Sequence, residues 1–302
     1  MSVVKPLYIY PVPFVFQEIK NIKTNSIYGY EAFIRFDNGI DTRTYVNNCM
    51  MTGSTHQLEL HTLYNAIKQF KEYNLTGYLF INSFPSECLD VHEIRLLVDE
   101  FGQEILSRVV IELLEYPFIN QSVWYEKQRL LVKYGMQLSL NAVGEGIFSD
   151  LNTILFLNPN IAKLPYSMIH DFTESPERTQ YIKNLVEILH TNDIKVLAMG
   201  VENVLEFEML KDVGVDFVQG YYIGMPKVPN APEFIGDDAD PELLSRLIEP
   251  TFDFSEDVIK AEERFDNIQP GSAYFTDIPV ALEEDDAAPV METEEELISK
   301  LF

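Results

Sequence analysis

Short runs of apolar and β-branched residues alternate with longer stretches of helical periodicity from near residue 12 to about 226. The runs Phe14–Ile19, Ile27–Phe36, Tyr78–Asn82, Val109–Leu113, Gln137–Leu140, Ile161–Lys163, Lys195–Ala198 and Phe217–Gln219 read as strands. Gln57–Tyr73, Val123–Tyr134, Glu177–Thr191 and Leu205–Val213 space their apolar residues as amphipathic helices do. Such alternation means parallel strands joined by crossover helices, and about eight strands in this length suit a closed barrel better than an open sheet. Residues 21–26 are too few for a crossover helix, so the first two strands are expected to pair antiparallel. The predicted fold is α/β: a TIM-like (β/α)8 barrel with an antiparallel first strand. It is expected to occupy residues 1–250, including a closing helix, with an acidic, partly disordered extension over 251–302.

The pattern changes after Pro226. Residues 241–248 and 255–266 look helical, the first with Leu243, Leu244, Leu247 and Ile248 in one stripe fit to close the barrel. Residues 269–290 read as an extended, solvated linker, and 294–302 as a short helix presenting Leu297, Ile298, Leu301 and Phe302. An acidic tail of this kind by default frays and solubilises. The sharper alternative is docking, either on an unknown protein partner or over the barrel's own mouth.

Charge sharpens the division. From Ala231 onward there are 21 acidic and 4 basic side chains, so the tail holds −17 of the net −26. Such a surface repels a phosphate backbone, which argues against a nucleic-acid polymer or an anionic membrane as partner. Cys49 and Cys88 lie far apart and outside any metal-ligand spacing, so a reducing cytoplasm is the simplest setting. No apolar run approaches the ~18 residues of a membrane span. His56 and His61 flank a helix without a third ligand, and Trp124 reads as packing.

In a barrel of this kind chemistry sits at the C-terminal ends of the strands. Polar residues predicted there are Glu31 with Arg35, Asn82, Glu112 with Glu115, Asn141, Lys163, Glu202 and Gln219. Their segments read YGYEAFIRF, FINSFP, VIELLE, LNAVGEG, AKLP, AMGVE and VDFVQGYYIGMP. In order and spacing over about residues 14 to 226 they resemble the EAL-domain family, bacterial phosphodiesterases of cyclic di-GMP. The resemblance implies that Glu31, Asn82 and Glu112 match metal ligands. Lys163 and Gln219 match residues that position a nucleophilic water, and Glu202 a supporting glutamate. Gln17 and Arg35 match ligand-contacting positions, with Glu18 adding negative charge where the family has proline.

The family is understood to use two divalent cations to activate water against one phosphodiester, giving linear pGpG. Here Asn141 and Ala142 stand where it writes paired aspartates, Pro165 where it writes the aspartate of KID, and Met199 where it writes the first glutamate of AEGVE. A unit charge pair at 4 Å is worth on the order of 4 kcal/mol at an effective dielectric near 20, and ~1.4 kcal/mol is tenfold in affinity. Losing such ligands is expected to empty the second metal position. Glu31, Asn82, Glu112 and Asn141 are left as at most one weak Mg or Mn site, and no cofactor is otherwise expected. Without metals Lys163 is expected to pair with Glu112 or Glu31. Glu145 is a remote stand-in for a lost ligand.

Three readings stay open. The first is a catalytically inactive EAL-like domain kept as a regulatory or protein-interaction module. The second is a non-hydrolysing cyclic di-GMP receptor using Gln17, Arg35 and Gln219. The third is an active phosphodiesterase with an altered metal set. A homodimer is compatible with all three.

Overall fold

Gln17 stands opposite Glu31 in the hairpin that opens the barrel, formed by β1 (Phe14–Asn21) and β2 (Ile27–Ile34). In this computed structural model the described residues are 12–35, 42–115, 119–170 and 172–229. The remaining strands are β3 (Tyr78–Ser83), β4 (Val109–Leu113), β5 (Gln137–Leu140), β6 (Ile161–Leu164), β7 (Lys195–Ala198) and β8 (Phe217–Val218). Each pairs with its sequence neighbour, and β8 returns to β1 to close the ring. Strands β2 to β8 run parallel, while β1 is antiparallel to both neighbours, as the short first connection requires. Gly29 lets β2 meet β3 closely: a Cβ there would lie 2.3 Å from the Tyr78 carbonyl oxygen.

Side-chain alternation sorts the strand residues into two cores. Outward residues such as Leu79, Ile81, Ile111, Leu113, Leu138 and Leu164 join the large cluster under the helices. Inward residues Ile19, Phe80, Val110, Ile161, Leu197, Met199 and Phe217 form a smaller cluster within the barrel. Two residues beyond an inner apolar residue each of four parallel strands presents a polar one: Asn82 after Phe80, Glu112 after Val110, Lys163 after Ile161 and Gln219 after Phe217. On the reversed β1 the order inverts, so Gln17 precedes Ile19 and still reaches the same end. On β7 the position is apolar, Met199.

The helices are α1 (Thr42–Thr52), α2 (Thr55–Glu72), α3 (Val91–Phe101), α4 (Gln103–Leu106), α5 (Gln121–Tyr134), α6 (Leu151–Leu157), α7 (Tyr166–Ile169), α8 (Pro176–Thr191) and α9 (Val204–Asp212). The four predicted from periodicity are α2, α5, α8 and α9, with ends shifted by a residue or two. The others are shorter or weakly patterned; α1 buries only Val46 and Cys49. The predicted helices and linker after residue 229, and the boundary at residue 250, lie outside the described residues. Among the described residues no helix is long and apolar enough to cross a membrane.

Candidate functional site

The register that forms the barrel also gathers the polar residues at its mouth. Asn82 and Glu112 are cross-strand partners, and Glu112 in turn faces Ser139. Asn141, one residue past β5, is fixed by its N–H bond to the Leu113 carbonyl. Lys163 rises from β6 into the centre, where its Nζ donates to Glu31 Oε2 at 2.8 Å and to Glu112 Oε1 at 2.6 Å. Gln219 Nε2 donates to the same Glu31 oxygen at 2.9 Å and to Gln17 Oε1 at 3.1 Å. Gln17 closes the chain by donating to the Gly224 carbonyl at 2.9 Å.

This network is almost fully withdrawn from water: Glu112 and Lys163 are 0% exposed, Glu31 1% and Gln219 3%. Burial, reinforced by the neighbouring Glu31 charge, pushes the Glu112 carboxyl up to about 7 even with Lys163 bound to it. Burial alone would lower Lys163, but the two carboxylates override it and hold its pKa above the ordinary lysine value. Four acceptor oxygens here are buried without a hydrogen-bond partner: Glu31 Oε1, Asn82 Oδ1, Glu112 Oε2 and Asn141 Oδ1. They come from four consecutive strands, β2 to β5.

The other half of the mouth is built of carbon. Ala142, Pro165 and Met199 stand at the ends of β5, β6 and β7, with Pro165 buried and Met199 8% exposed. Ala142 holds a left-handed conformation, φ 55°, which an alanine adopts at a cost of ~1–2 kcal/mol. Tyr166 packs against Gly200, two residues past β7, and Tyr221 lies near it. Burial, then Glu202 and Tyr166, push the Tyr221 hydroxyl up to about 12.

Several expected participants do not join this network. The Glu202 side chain is exposed, and its N–H donates to Glu206 Oε2 at 2.8 Å. Arg35 lies one residue past β2, half-buried, with Nη1 donating to the Ile34 carbonyl at 2.8 Å and its guanidinium 5.9 Å from the Phe33 ring centre. Glu18 does not add its charge to the mouth: alternation turns it away from Gln17, and it pairs with Lys20 at 3.6 Å. Glu145 is exposed and bonded to Ser167, so it does not take the place of a lost ligand. Glu115 instead braces the loop after β5, accepting from the Ile147 N–H at 3.4 Å.

A second buried ion pair, which the strand-end pattern does not point to, stands behind β3. Lys127 of α5 donates to Glu59 of α2 at 3.0 Å and to the Phe84 carbonyl at 2.8 Å, while Glu59 accepts from the Phe84 N–H at 2.9 Å. Ser83 bonds both charged groups. Every partner is satisfied, and the clamp holds the chain directly after Asn82. A charged residue on the inner face of each of two helices was the signal: Glu59 amid Leu58, Leu60 and Leu63, and Lys127 between Trp124 and Leu131.

Comparison with known proteins agrees with this fold. The sequence matches the family profile described as the EAL domain over residues 12–226. A standalone EAL protein from Vibrio cholerae O395, solved with c-di-GMP bound, superposes with a TM-score of 0.63 at 24% identity, covering 72% of this chain and 95% of that one. BlrP1 from Klebsiella pneumoniae, solved with manganese and cyclic di-GMP, gives 0.59 at 21%, covering 74% and 58%. These likenesses establish the shared fold. An uncharacterized protein of Azorhizobium caulinodans is 26% identical over 225 residues, 69% of this chain and 30% of that protein. The signaling protein YkoW of Bacillus subtilis is 27% identical over 99 residues, 33% of this chain and 12% of that protein. The chain thus spans under a third of the length of either curated relative.

Proposed function

The chain belongs to the EAL domain family, and from that premise we propose that it is a member without phosphodiesterase activity, acting as a regulatory or protein-interaction module in cyclic di-GMP signalling. The observation that carries this reading is the carbon half of the mouth. Ala142, Pro165 and Met199 offer no oxygen ligand, and Asn141 offers a neutral one.

Two hard cations side by side need several carboxylates to offset their charge. Among the described residues only Glu31 and Glu112 converge at the mouth, and Lys163 holds one oxygen of each. Among the described residues no group of three or more His, Cys, Asp or Glu side chains has the arrangement to hold a metal ion. The four unpaired oxygens fit one cation, with Glu31, Asn82, Glu112 and Asn141 as its ligands, and do not fit a pair. One cation cannot stabilise both the attacking and the leaving oxygen of an in-line displacement, which leaves two-metal hydrolysis without half of its machinery. Lys163 and Gln219 then serve to cross-link β2, β4, β6 and β8, keeping the barrel closed while its outer surface engages a partner.

A receptor without hydrolysis is the second reading, favoured by Gln17, Gln219 and Arg35 being kept at one end of the barrel. A guanidinium suits a phosphate by its forked geometry. Incubating purified chain with cyclic di-GMP and excess Mn²⁺ or Mg²⁺ tests the main proposal. No pGpG is expected; measurable pGpG that disappears in Glu31→Ala would establish an active enzyme with an altered metal set. Calorimetry with cyclic di-GMP in Ca²⁺ and in EDTA decides between the other two, since heat at micromolar ligand requires the receptor and its absence leaves the interaction role.

A further inference from the structure

We propose that residues 292–302 of this chain dock in a groove at the N-terminal ends of β3 and β4, at the opposite end of the barrel from Asn82 and Glu112. The proposal does not depend on whether the mouth is active.

The groove encloses about 420 Å³, a volume typical of ligand sites. Buried Phe70 and Ile105 and half-buried Leu75 and Phe101 give it an apolar lining, while Lys71 and Arg108 give it two cations against the single carboxylate of Glu104. Both cations are held in place. Arg108 Nε donates to the Gly77 carbonyl at 2.8 Å and Nη2 to the Leu75 carbonyl at 3.1 Å, with the guanidinium 5.0 Å from the Phe70 ring centre. Lys71 Nζ donates to the Phe101 carbonyl at 3.2 Å and lies 5.6 Å from that ring's centre. Carbonyls and rings orient a cation without neutralising it, and among the described residues neither cation forms an ion pair. Such a groove suits a segment that is acidic and apolar together.

The chain supplies one. Residues 283–296 contain eight acidic side chains and no basic one, and Leu297, Ile298, Leu301 and Phe302 follow at spacings that suit one helix face. The tail also departs from close by. Phe16 and Lys227 exchange backbone hydrogen bonds at 2.8 and 3.0 Å, and the Phe16 ring lies 6.0 Å from that of Tyr73, the residue before Asn74 of the groove. Residues 230–291 can span up to ~200 Å when extended, against ~27 Å for the 18 residues of α2. Reach is therefore not limiting, and tethering favours capture within one chain. The mouth competes poorly for the same segment, because Glu31 and Glu112 outnumber Lys163 there and repel further acid.

Limited proteolysis of the full chain with an endoproteinase that cuts after glutamate tests this. Cuts at residues 294–296 are normalised to cuts at Glu283 and Glu284, which lie outside the docked segment. Lys71→Asp reverses an exposed charge of the groove, and Leu301→Ala with Phe302→Ala removes apolar contacts without touching the barrel. In each variant the normalised cut is expected to run about tenfold faster than in the wild type, since the protease acts on the undocked population. Equal rates in all three chains would overturn the proposal. Protection that survives Lys71→Asp would also overturn it by placing the segment elsewhere, such as over the mouth. Protection that grows with protein concentration would overturn it too, because the occupant would then come from a second copy.

Discussion

Lys163 and Glu112 meet at 2.6 Å with neither side chain exposed to solvent. Glu31 takes the same ammonium from the other side at 2.8 Å. A triad of this kind is weak evidence for net stability, because desolvation offsets most of the attraction, but removing one member leaves a buried charge with no counterpart. Lys163→Met is therefore expected to destabilise the chain by about 3–5 kcal/mol at pH 8 in urea unfolding. The loss should shrink as pH falls toward about 7, because a Glu112 carboxyl no longer held down by Lys163 is protonated above that value and then needs no ammonium. A loss independent of pH would place the defect in packing.

The clamp behind β3 predicts a coupled pair. Lys127→Met alone strands the Glu59 carboxylate between two helices, and a cost of about 3–5 kcal/mol is expected. Adding Glu59→Gln to that variant should recover part of it, because the unmatched charge is gone. A double-mutant cycle with no coupling energy would contradict the buried pair.

His56 carries the clearest pH dependence outside the mouth. Its Nε2 faces Glu93 at 2.9 Å and its Nδ1 faces Glu87 at 3.4 Å, so both contacts are attractive only for the imidazolium. Burial lowers its pKa, but the bonds and charges of Glu93 and Glu87 outweigh that and raise it above 6.5. The stabilisation is therefore complete below the unfolded value and is lost as pH rises through the higher folded one. With the side chain 41% exposed, the effect is small. His56→Gln should flatten this part of the stability–pH profile, and an unchanged profile would contradict the assignment.

Most of the barrel was legible because short apolar, β-branched runs alternate with stretches of helical periodicity. The run from Val109 to Leu113 announces a strand buried on both faces, and the Asn21–Ser26 gap forces the first hairpin. The α3 helix carried a readable signal as well, since Asp90 and Glu93 form a capping box ahead of Ile94 and Leu97. The α1 helix did not: its sequence, TRTYVNNCMMT, has little apolar stripe. At the site, spacing named the strand-end residues but not their partners. That Lys163 takes both glutamates, that Glu202 stays outside and that Glu18 turns away depend on strand register and tilt, which no local pattern encodes. The tail's organisation falls outside the described residues.

Restoring the lost carboxylates should restore metal affinity. Asn141→Asp with Ala142→Asp returns two anions to the end of β5, and Asp tolerates the left-handed backbone at position 142 better than alanine does. At ~1.4 kcal/mol per tenfold, even a strongly screened gain predicts at least a roughly tenfold tighter Mn²⁺ dissociation constant by calorimetry. No gain would mean that the loop, rather than its charge, excludes the ion.

The anions around Glu31 and Glu112 are too few, on this proposal, for a pair of divalent ions to sit side by side. Crystals grown with cyclic di-GMP and Mn²⁺ at physiological salt, with anomalous scattering recorded at the manganese edge, give the sharpest test. At most one manganese peak is expected at the barrel mouth; two adjacent, well-occupied peaks bridging Glu31 and Asn141 would contradict the proposal.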